Sequence, residues 1–592
     1  MIHRALPVLL ASLVLAAAAA AQPRVLWPGV TYEEQVLLTI HGPVVIHVMT
    51  GPRPGGTTNL VPLLSNDSLL GRETVTSMQR RASAAATTAG ISGDFSAFAT
   101  GLPSGVLIRE SQLLHPPSGD RSSAGVLTDG TLDVRRISFF ASWQGAGVRR
   151  VLNDLNGPVP ENGTALYTAV YGSATPSYAD SAAVVLFPFP AAVPGGDLGA
   201  TVVEARGAGA VPIPAGGAVL VARGQSAVTL LAEAPVGTTL TTRFILRPDW
   251  PGVVSAIGGG PQIVRDGGPV FRANEAFLQS QTRPRAPRAA VGQLRDGRIV
   301  LVAVDGRQPG YSAGMTNWEL AQALVRLGAV TAMGLDGGGS VTMGVEGQLV
   351  NRPSDGVERP IGDALVFSYT GAYVQPPQAV VSPDGDGIRD SQALRYKLVR
   401  PSTATVTLTA PDGTVAYTQT GEQQPGLVEL TFPPPPAVPS PPVATASTLA
   451  VRARVDEIPQ GRWRLSVSAV DDIGQSSAMT QSFVVNSTIG FLATTPKKLF
   501  LPPEGRDLLI SWRQTRSAFV VVTVETRAGE VVRTLAKQRY TAAAAAVTWN
   551  SLGRDRKVVK GGWYVIRAVA RNGLGSIEIT RDVRVQRVVG PK

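Results

Sequence analysis

Short apolar runs, broken every few residues by glycine, proline or Asp-Gly, recur along the whole chain, and this rhythm constrains the fold more than any other feature. Sixty-four glycines and 46 prolines in 592 residues leave little room for long helices, because glycine adds backbone freedom and proline removes a helical donor. Between the breaks, runs such as Val44–Val48 and Ile299–Val304 read as strands. Apolar residues make up 44% of the chain and charged residues 16%, so the chain is folded and β-rich rather than disordered or coiled coil. One segment has helical periodicity. Thr316 and Glu319 form a capping box, Leu320, Ala323, Leu324 and Leu327 share a face, and Gly328 follows as a stop. A strand (Val330–Leu335), a glycine turn and a hairpin (Val341–Val345 with Gln348–Asn351) come next. These elements predict an α+β (mixed α/β) N-terminal domain over residues 22–375. Beyond it, Thr/Val alternation in Ala404–Thr409, Trp463–Val470 and Val520–Thr526 predicts two all-β Ig-like sandwiches, 376–488 and 489–592. Pro433–Pro442 reads as an extended loop inside the first sandwich.

The absence of cysteine excludes disulfides, Cys-ligated zinc, iron–sulfur clusters and a thiol nucleophile. Four histidines leave little room for a multi-histidine metal site. The formal charge of +11 is carried by scattered arginines. It fits a soluble basic protein or a surface that favours anionic polymers, and no aromatic-plus-basic motif points to nucleic acid. Residues 1–21, with Arg4 ahead of an apolar run ending in alanines, read as a signal peptide cleaved near Ala21. No later run is long enough to span a bilayer. The expectation is a bacterial protein, secreted or periplasmic, with no membrane insertion after cleavage.

Polar-glycine clusters at strand ends carry the candidate chemistry. Asp94 lies in Ser92-Gly-Asp-Phe95, Asp305 and Arg307 in Asp305-Gly-Arg307, and Asp336 in Leu335-Asp-Gly-Gly-Gly-Ser340. Asp355 lies in Asn351-Arg-Pro-Ser-Asp355, and Glu358 precedes Arg359. The carboxylates Asp336, Asp305, Asp94, Asp355 and Glu358 are candidates for general acid/base or nucleophilic work. Arg307, Arg352 and Arg359 are suited to bidentate contacts with phosphate. The backbone of Gly337, Gly338, Gly339 and Ser340 can form an anion nest, with Asn351 and Ser354 as further binding groups. Taken singly, each cluster is also an ordinary turn. Gly310-Tyr-Ser-Ala-Gly314 matches a nucleophile elbow, but His3, His41, His47 and His115 all precede Ser312, against the Ser-acid-His order such a site needs.

The same residues carry a family resemblance. Asp305-Gly-Arg-Gln-Pro-Gly-Tyr-Ser-Ala-Gly-Met-Thr-Asn-Trp-Glu-Leu-Ala321, Leu335-Asp-Gly-Gly-Gly-Ser340, Asn351-Arg-Pro-Ser-Asp355 and Glu358-Arg-Pro360 resemble the phosphodiester glycosidase family. Weaker matches extend the resemblance over roughly 85–370. Ser92 and Gly334 stand where the family has asparagine, and Ser96 where it has phenylalanine. The resemblance implies a hydrolase that cleaves sugar-1-phosphodiesters, of the N-acetylglucosamine-1-phosphodiester type, in envelope or exopolysaccharide, with no required cofactor. The alternative is a non-catalytic, surface-associated protein that binds carbohydrate or phosphate through the same cleft and is attached by its Ig-like modules.

In the tail, Val381-Ser-Pro-Asp-Gly-Asp-Gly-Ile-Arg-Asp390 spaces Asp384, Asp386 and Asp390 either as oxygen ligands for calcium or as a plain acidic turn. Gly529-Glu-Val-Val-Arg-Thr-Leu535, Val547-Thr-Trp-Asn550 and Gly561-Gly-Trp-Tyr-Val-Ile-Arg-Ala568 are similar to the Ig-like domain of the flagellar hook-capping protein. That likeness implies a fold and not a flagellar role.

Overall fold

The computed structural model describes residues 23–434, 458–501 and 507–586. The signal-peptide segment and most of the Pro433–Pro442 stretch lie outside the described residues. Two compact units divide at Tyr369/Thr370.

The α+β expectation for the first unit is overturned. Strands hold 52% of the chain and helices 7%, so the architecture is nearly all β. The helix read from periodicity is present at Asn317–Arg326, with the Thr316/Glu319 capping box formed. It is one of four α-helices among the described residues, none longer than ten residues. Glycine and proline cut the remaining chain into strand-length pieces, and single short helices cover sheet faces without forming a layer.

Two eight-stranded and two five-stranded sheets build the first unit. In one eight-stranded sheet, Ile299–Val304 and Arg288–Leu294 are buried at every position. They sit between Gly42–Gly51 and Ala329–Leu335 in antiparallel order. Strands covered on both faces read as continuous apolar runs, which is what Ile-Val-Leu-Val-Ala-Val presents. Helix Asn317–Arg326 buries Leu320, Ala321, Ala323 and Leu324, which join the sheet's valines and alanines in one core. A five-stranded sheet pairs Thr87–Ser92 with Asp363–Tyr369, and helix Val75–Ala82 packs Val75 and Met78 on it.

The second unit holds a three-stranded and a five-stranded sheet twice over, compatible with Ig-like sandwiches. Gly461–Asp471 alternates buried and solvent-facing positions, the pattern of a strand with one wet face. Phe432, Trp463 and Phe483 pack together in the first pair of sheets, and Trp512, Trp549 and Ile566 belong to the core of the second. Among the described residues no helix is long and apolar enough to cross a membrane.

Candidate functional site

Register brings the chemistry to one end of two sheets. Arg288 pairs with Val304 and Ala289 with Leu335. The residues that follow those strand ends, Asp305 and Asp336, therefore stand in a row with Arg288 between them. In the neighbouring sheet Ala364 pairs with Ser92, which sets Asp94 beside Asp363. The two sheet ends are joined where the Asp336 amide donates to the Gly93 carbonyl at 3.0 Å.

Asp94, Asp336 and Asp363 form an acidic group. Asp94 accepts from the Gly105 amide at 2.6 Å and the Phe95 amide at 2.7 Å, and its own amide donates to Asp363 Oδ1 at 2.7 Å. Asp363 Oδ2 is buried without a partner. Burial raises the Asp94 carboxyl to about 7, reinforced by Asp336 and opposed by the two amides and Arg121. Burial, with Asp94 and Asp336 nearby, pushes Asp363 well above the usual carboxylate range. Two carboxyls this close and this dry cannot both ionise cheaply. The missing side chains at Gly93, Gly105 and Gly258 make the room: a Cβ at Gly93 would collide with Asp363, one at Gly258 with Asp94, and one at Gly105 would come within 2.9 Å of Asp94 Oδ2.

Asp336 faces a cavity of about 270 Å³ whose lining includes Phe95, Phe277, Arg288, Arg307, Gly337 and Gly338. Burial raises its carboxyl to about 6, against a hydrogen bond from Ser340 and the charges of Arg359 and Arg121. Phe95 and Phe277 meet at 5.5 Å, and the Arg121 guanidinium lies over both rings at 5.2 and 4.5 Å. A carboxyl with a raised pKa in a cleft with convergent polar groups is the arrangement expected of a reaction centre.

Asp305 has a different surrounding. It is 1% exposed and is not part of that cavity's lining. Its carboxylate accepts from Asn351 Nδ2 (2.9 Å), the Arg352 amide (3.0 Å) and Tyr311 (3.1 Å), and meets His47 Nε2 at 3.0 Å. Tyr32 stands 2.8 Å from His47 Nδ1. With Nε2 protonated, the imidazole donates to Asp305 and accepts from the Tyr32 hydroxyl. Asp305 thus anchors the 351–360 loop, and Asn351 completes the anchor by accepting from the Met343 amide at 2.7 Å.

The remaining sequence-derived candidates are spread around this centre. Asp355 is paired with Arg359 at 2.6 Å, and Gly339 lies beneath the pair, since a Cβ there would overlap both side chains. Ser354 stands 3.5 Å from Asp355. Arg352 stacks on Tyr311 at 4.9 Å. Arg307 is exposed, has a left-handed φ of 58° and lies beside Gly338. Glu358 is turned away from the cavity: both its oxygens hold Thr76, at 2.9 Å to the amide and 2.6 Å to the hydroxyl, at the start of helix Val75–Ala82. In the second unit, the oxygens of Asp384, Asp386 and Asp390 come within 4.8 Å of one another. Asp363, Arg288, His47 and Arg121 escaped the sequence reading. The available signals were the Gly-Asp opening a strand at 362–363 and Arg288 itself at the head of the apolar run Ala289–Val291.

A sequence model described as phosphodiester glycosidase matches residues 191–368. N-acetylglucosamine-1-phosphodiester alpha-N-acetylglucosaminidase of Bos taurus is 44% identical over 68 residues, 12% of each chain. An SPbeta prophage-derived uncharacterized protein of Bacillus subtilis is 36% identical over 118 residues, 20% of this chain and 18% of its own. The chain thus spans less than a fifth of the length of these curated relatives. A hypothetical protein from Synechocystis has a crystal structure 26% identical with a TM-score of 0.49, covering 58% of this chain and 62% of that one. Asp94 lies outside the matched segment, whereas Arg288, Asp305, Arg307, Asp336 and Asp363 lie inside it, and the segment that supplies them matches the phosphodiester glycosidase family.

Proposed function

We propose that this protein is an exported hydrolase of sugar-1-phosphodiesters, acting on N-acetylglucosamine-1-phosphodiester-like groups in envelope or exopolysaccharide. The observation that carries the reading is Asp336, a carboxyl raised to about 6 at the wall of a cavity that also holds arginine, glycine backbone and an aromatic pair. In the reaction, the C1–O bond breaks and its electron pair leaves on the phosphodiester oxygen. Water oxygen bonds to C1 and its proton passes to a carboxylate. The departing phosphate is already a stabilised anion, so catalysis rests on stabilising the oxocarbenium-like centre more than on acid help. Asp336 is the carboxylate set to meet that centre, and Asp94 with Asp363 forms its buried support.

Purified protein incubated with a panel of N-acetylglucosamine phosphodiesters should release free sugar. Asp336→Asn should lower the rate by roughly 10³-fold or more, as loss of a central catalytic group does. One observation favours a second reading, a binding protein without turnover: Ser92, at a position where the family has asparagine, is buried with its hydroxyl unpartnered. Binding across the panel with no sugar released would move the conclusion to that reading.

A further inference from the structure

Arg288 sits on a strand buried at every position, yet its charge has no counter-charge. Nε donates to the Met315 carbonyl at 2.9 Å and Nη1 to the Gln281 carbonyl at 2.8 Å. Nη2 donates to the carbonyls of Pro284 at 2.7 Å and Thr282 at 3.4 Å. All four acceptors are neutral. The charge that acts on Arg288 is another cation, Arg307, and burial together with that repulsion lowers its pKa to about 10. Among the described residues neither arginine forms an ion pair. By contrast, Arg359 is matched by Asp355 and Arg285 by Glu319.

The two unmatched guanidinium groups flank one turn. A Cβ on Gly337 would stand 3.7 Å from Arg288 Nη1, and a Cβ on Gly338 would stand 3.3 Å from both terminal nitrogens of Arg307. Both arginines, both glycines and Asp336 line the same cavity. A buried cation such as Arg288 is costly unless paired, and the exposed Arg307 beside it adds like-charge repulsion in place of a counter-charge. The arrangement becomes favourable when an anion with several acceptor oxygens lies between them, within reach of planar donor forks.

We propose that the cavity wall formed by Arg288, Arg307 and the Gly337–Gly338 turn is a subsite for a tetrahedral oxyanion, the phosphate of the sugar-1-phosphodiester. This rests on the hydrolase reading for the identity of the anion; it keeps Arg307 of the three arginines read from the sequence and puts Arg288 in place of Arg352 and Arg359. Substrate then lies with its phosphate against the two arginines and its C1 toward Asp336. The arginines stabilise the charge that gathers on the departing oxygen, and the Phe95–Phe277 side of the cavity receives the sugar.

The test is calorimetric titration of the full-length protein with inorganic phosphate and, separately, with N-acetylglucosamine 1-phosphate. Both should bind, and affinity should fall as salt rises. Arg307→Asn keeps a residue type that tolerates the left-handed backbone and should weaken both probes by about tenfold or more, the scale of one lost charge-assisted contact. Arg206→Ala, which removes one charge from an exposed strand, should leave both affinities unchanged. Arg288→Met should abolish binding, and because Arg288 also holds the 281–284 carbonyls, Arg307→Asn decides the case if that variant fails to fold. Failure of wild-type protein to bind either probe, or equal affinity in Arg307→Asn, overturns the subsite. The two readings fail separately. Phosphate binding that depends on Arg307 without any turnover removes the hydrolase and leaves the subsite. Turnover with KM unchanged in Arg307→Asn removes the subsite and leaves the hydrolase.

Discussion

At the scale of residues, the site is a set of carboxyls graded by their surroundings. Asp305 has hydrogen-bond donors on both oxygens, Asp336 has one wall of cavity, and Asp363 has an oxygen with nothing to bind. Environment, and not residue type, separates their tasks. This grading has a consequence for stability. In the unfolded chain these carboxyls titrate near pH ~4. In the fold Asp94 is raised to about 7 and Asp363 higher than its usual range. Between those limits the native state holds protons that the unfolded state has lost, so stability falls as pH rises from about 4 to 7. Asp363→Asn supplies a neutral group of the same shape and should lose the Asp363 share of that dependence while the share from buried Asp94 stays, so the variant gains on wild type as pH rises through the window. Urea midpoints measured for both proteins at several pH values check this, and a pH-independent difference between them removes the raised Asp363 carboxyl from the account.

At the scale of elements, short pieces are fixed by their ends. Helix Val75–Ala82 begins on Thr74, whose side chain accepts from the Ser77 amide, and Glu358 reaches it from 282 residues away to accept from the Thr76 amide and hydroxyl. A carboxylate there satisfies a free donor and favours the positive helix end. Glu358→Ala should cost about 1 kcal/mol of stability, the usual value of a lost cap, while sugar release stays within a few-fold of wild type. A collapse of turnover at unchanged stability would return Glu358 to the reaction centre. The turn at 382–390 makes a parallel case. Asp390 accepts from the amides of Asp384, Gly385 and Gly387, and Asp386 receives the Phe491 amide at 2.8 Å. If calcium joins the three carboxylates, added calcium should raise the melting temperature, a chelator should lower it, and Asp386→Asn should abolish both responses. An unchanged melting temperature with chelator leaves a plain acidic turn.

These elements also show what was legible in the sequence. The capping box at Thr316/Glu319 and the run Ile299–Val304 are local patterns, and both appear where they were read. The clusters around Asp305 and Asp336 were visible because they follow strand ends directly. The α+β reading failed because one helix was allowed to stand for a layer, when turn density along the chain already favoured strands. Asp363 was hidden because its partner Asp94 is 269 residues distant, and the contact of Glu358 with Thr76, 282 residues away, was hidden in the same way. Arg288 stands ahead of the apolar run Ala289–Val291. Its missing counter-charge is a property of the packed interior and leaves no mark on neighbouring positions.

At the scale of the whole molecule, the groups described for the site, from Asp94 to Asp363, all belong to the unit that ends at Tyr369. A chain of residues 23–369 should therefore fold cooperatively and release sugar with a kcat/KM within a few-fold of the full protein, checked by circular dichroism melting and the same substrate panel. Loss of activity with folding intact would show that the second unit contributes to the chemistry.

Within the first unit, the hydrogen bond from the Asp94 amide to Asp363 closes a span of 269 residues, and the Tyr32 hydroxyl reaches the Val350 carbonyl across 318. Contacts of such separation form late and slow folding. A prematurely terminated or nicked chain lacking Asp363 would keep Asp336, Arg288 and Arg307 in its sequence but not the strand that carries Asp363 and supports Asp94. The acidic group of the site is in this sense complete only when the strand Asp363–Tyr369 has been synthesised and paired with Thr87–Ser92.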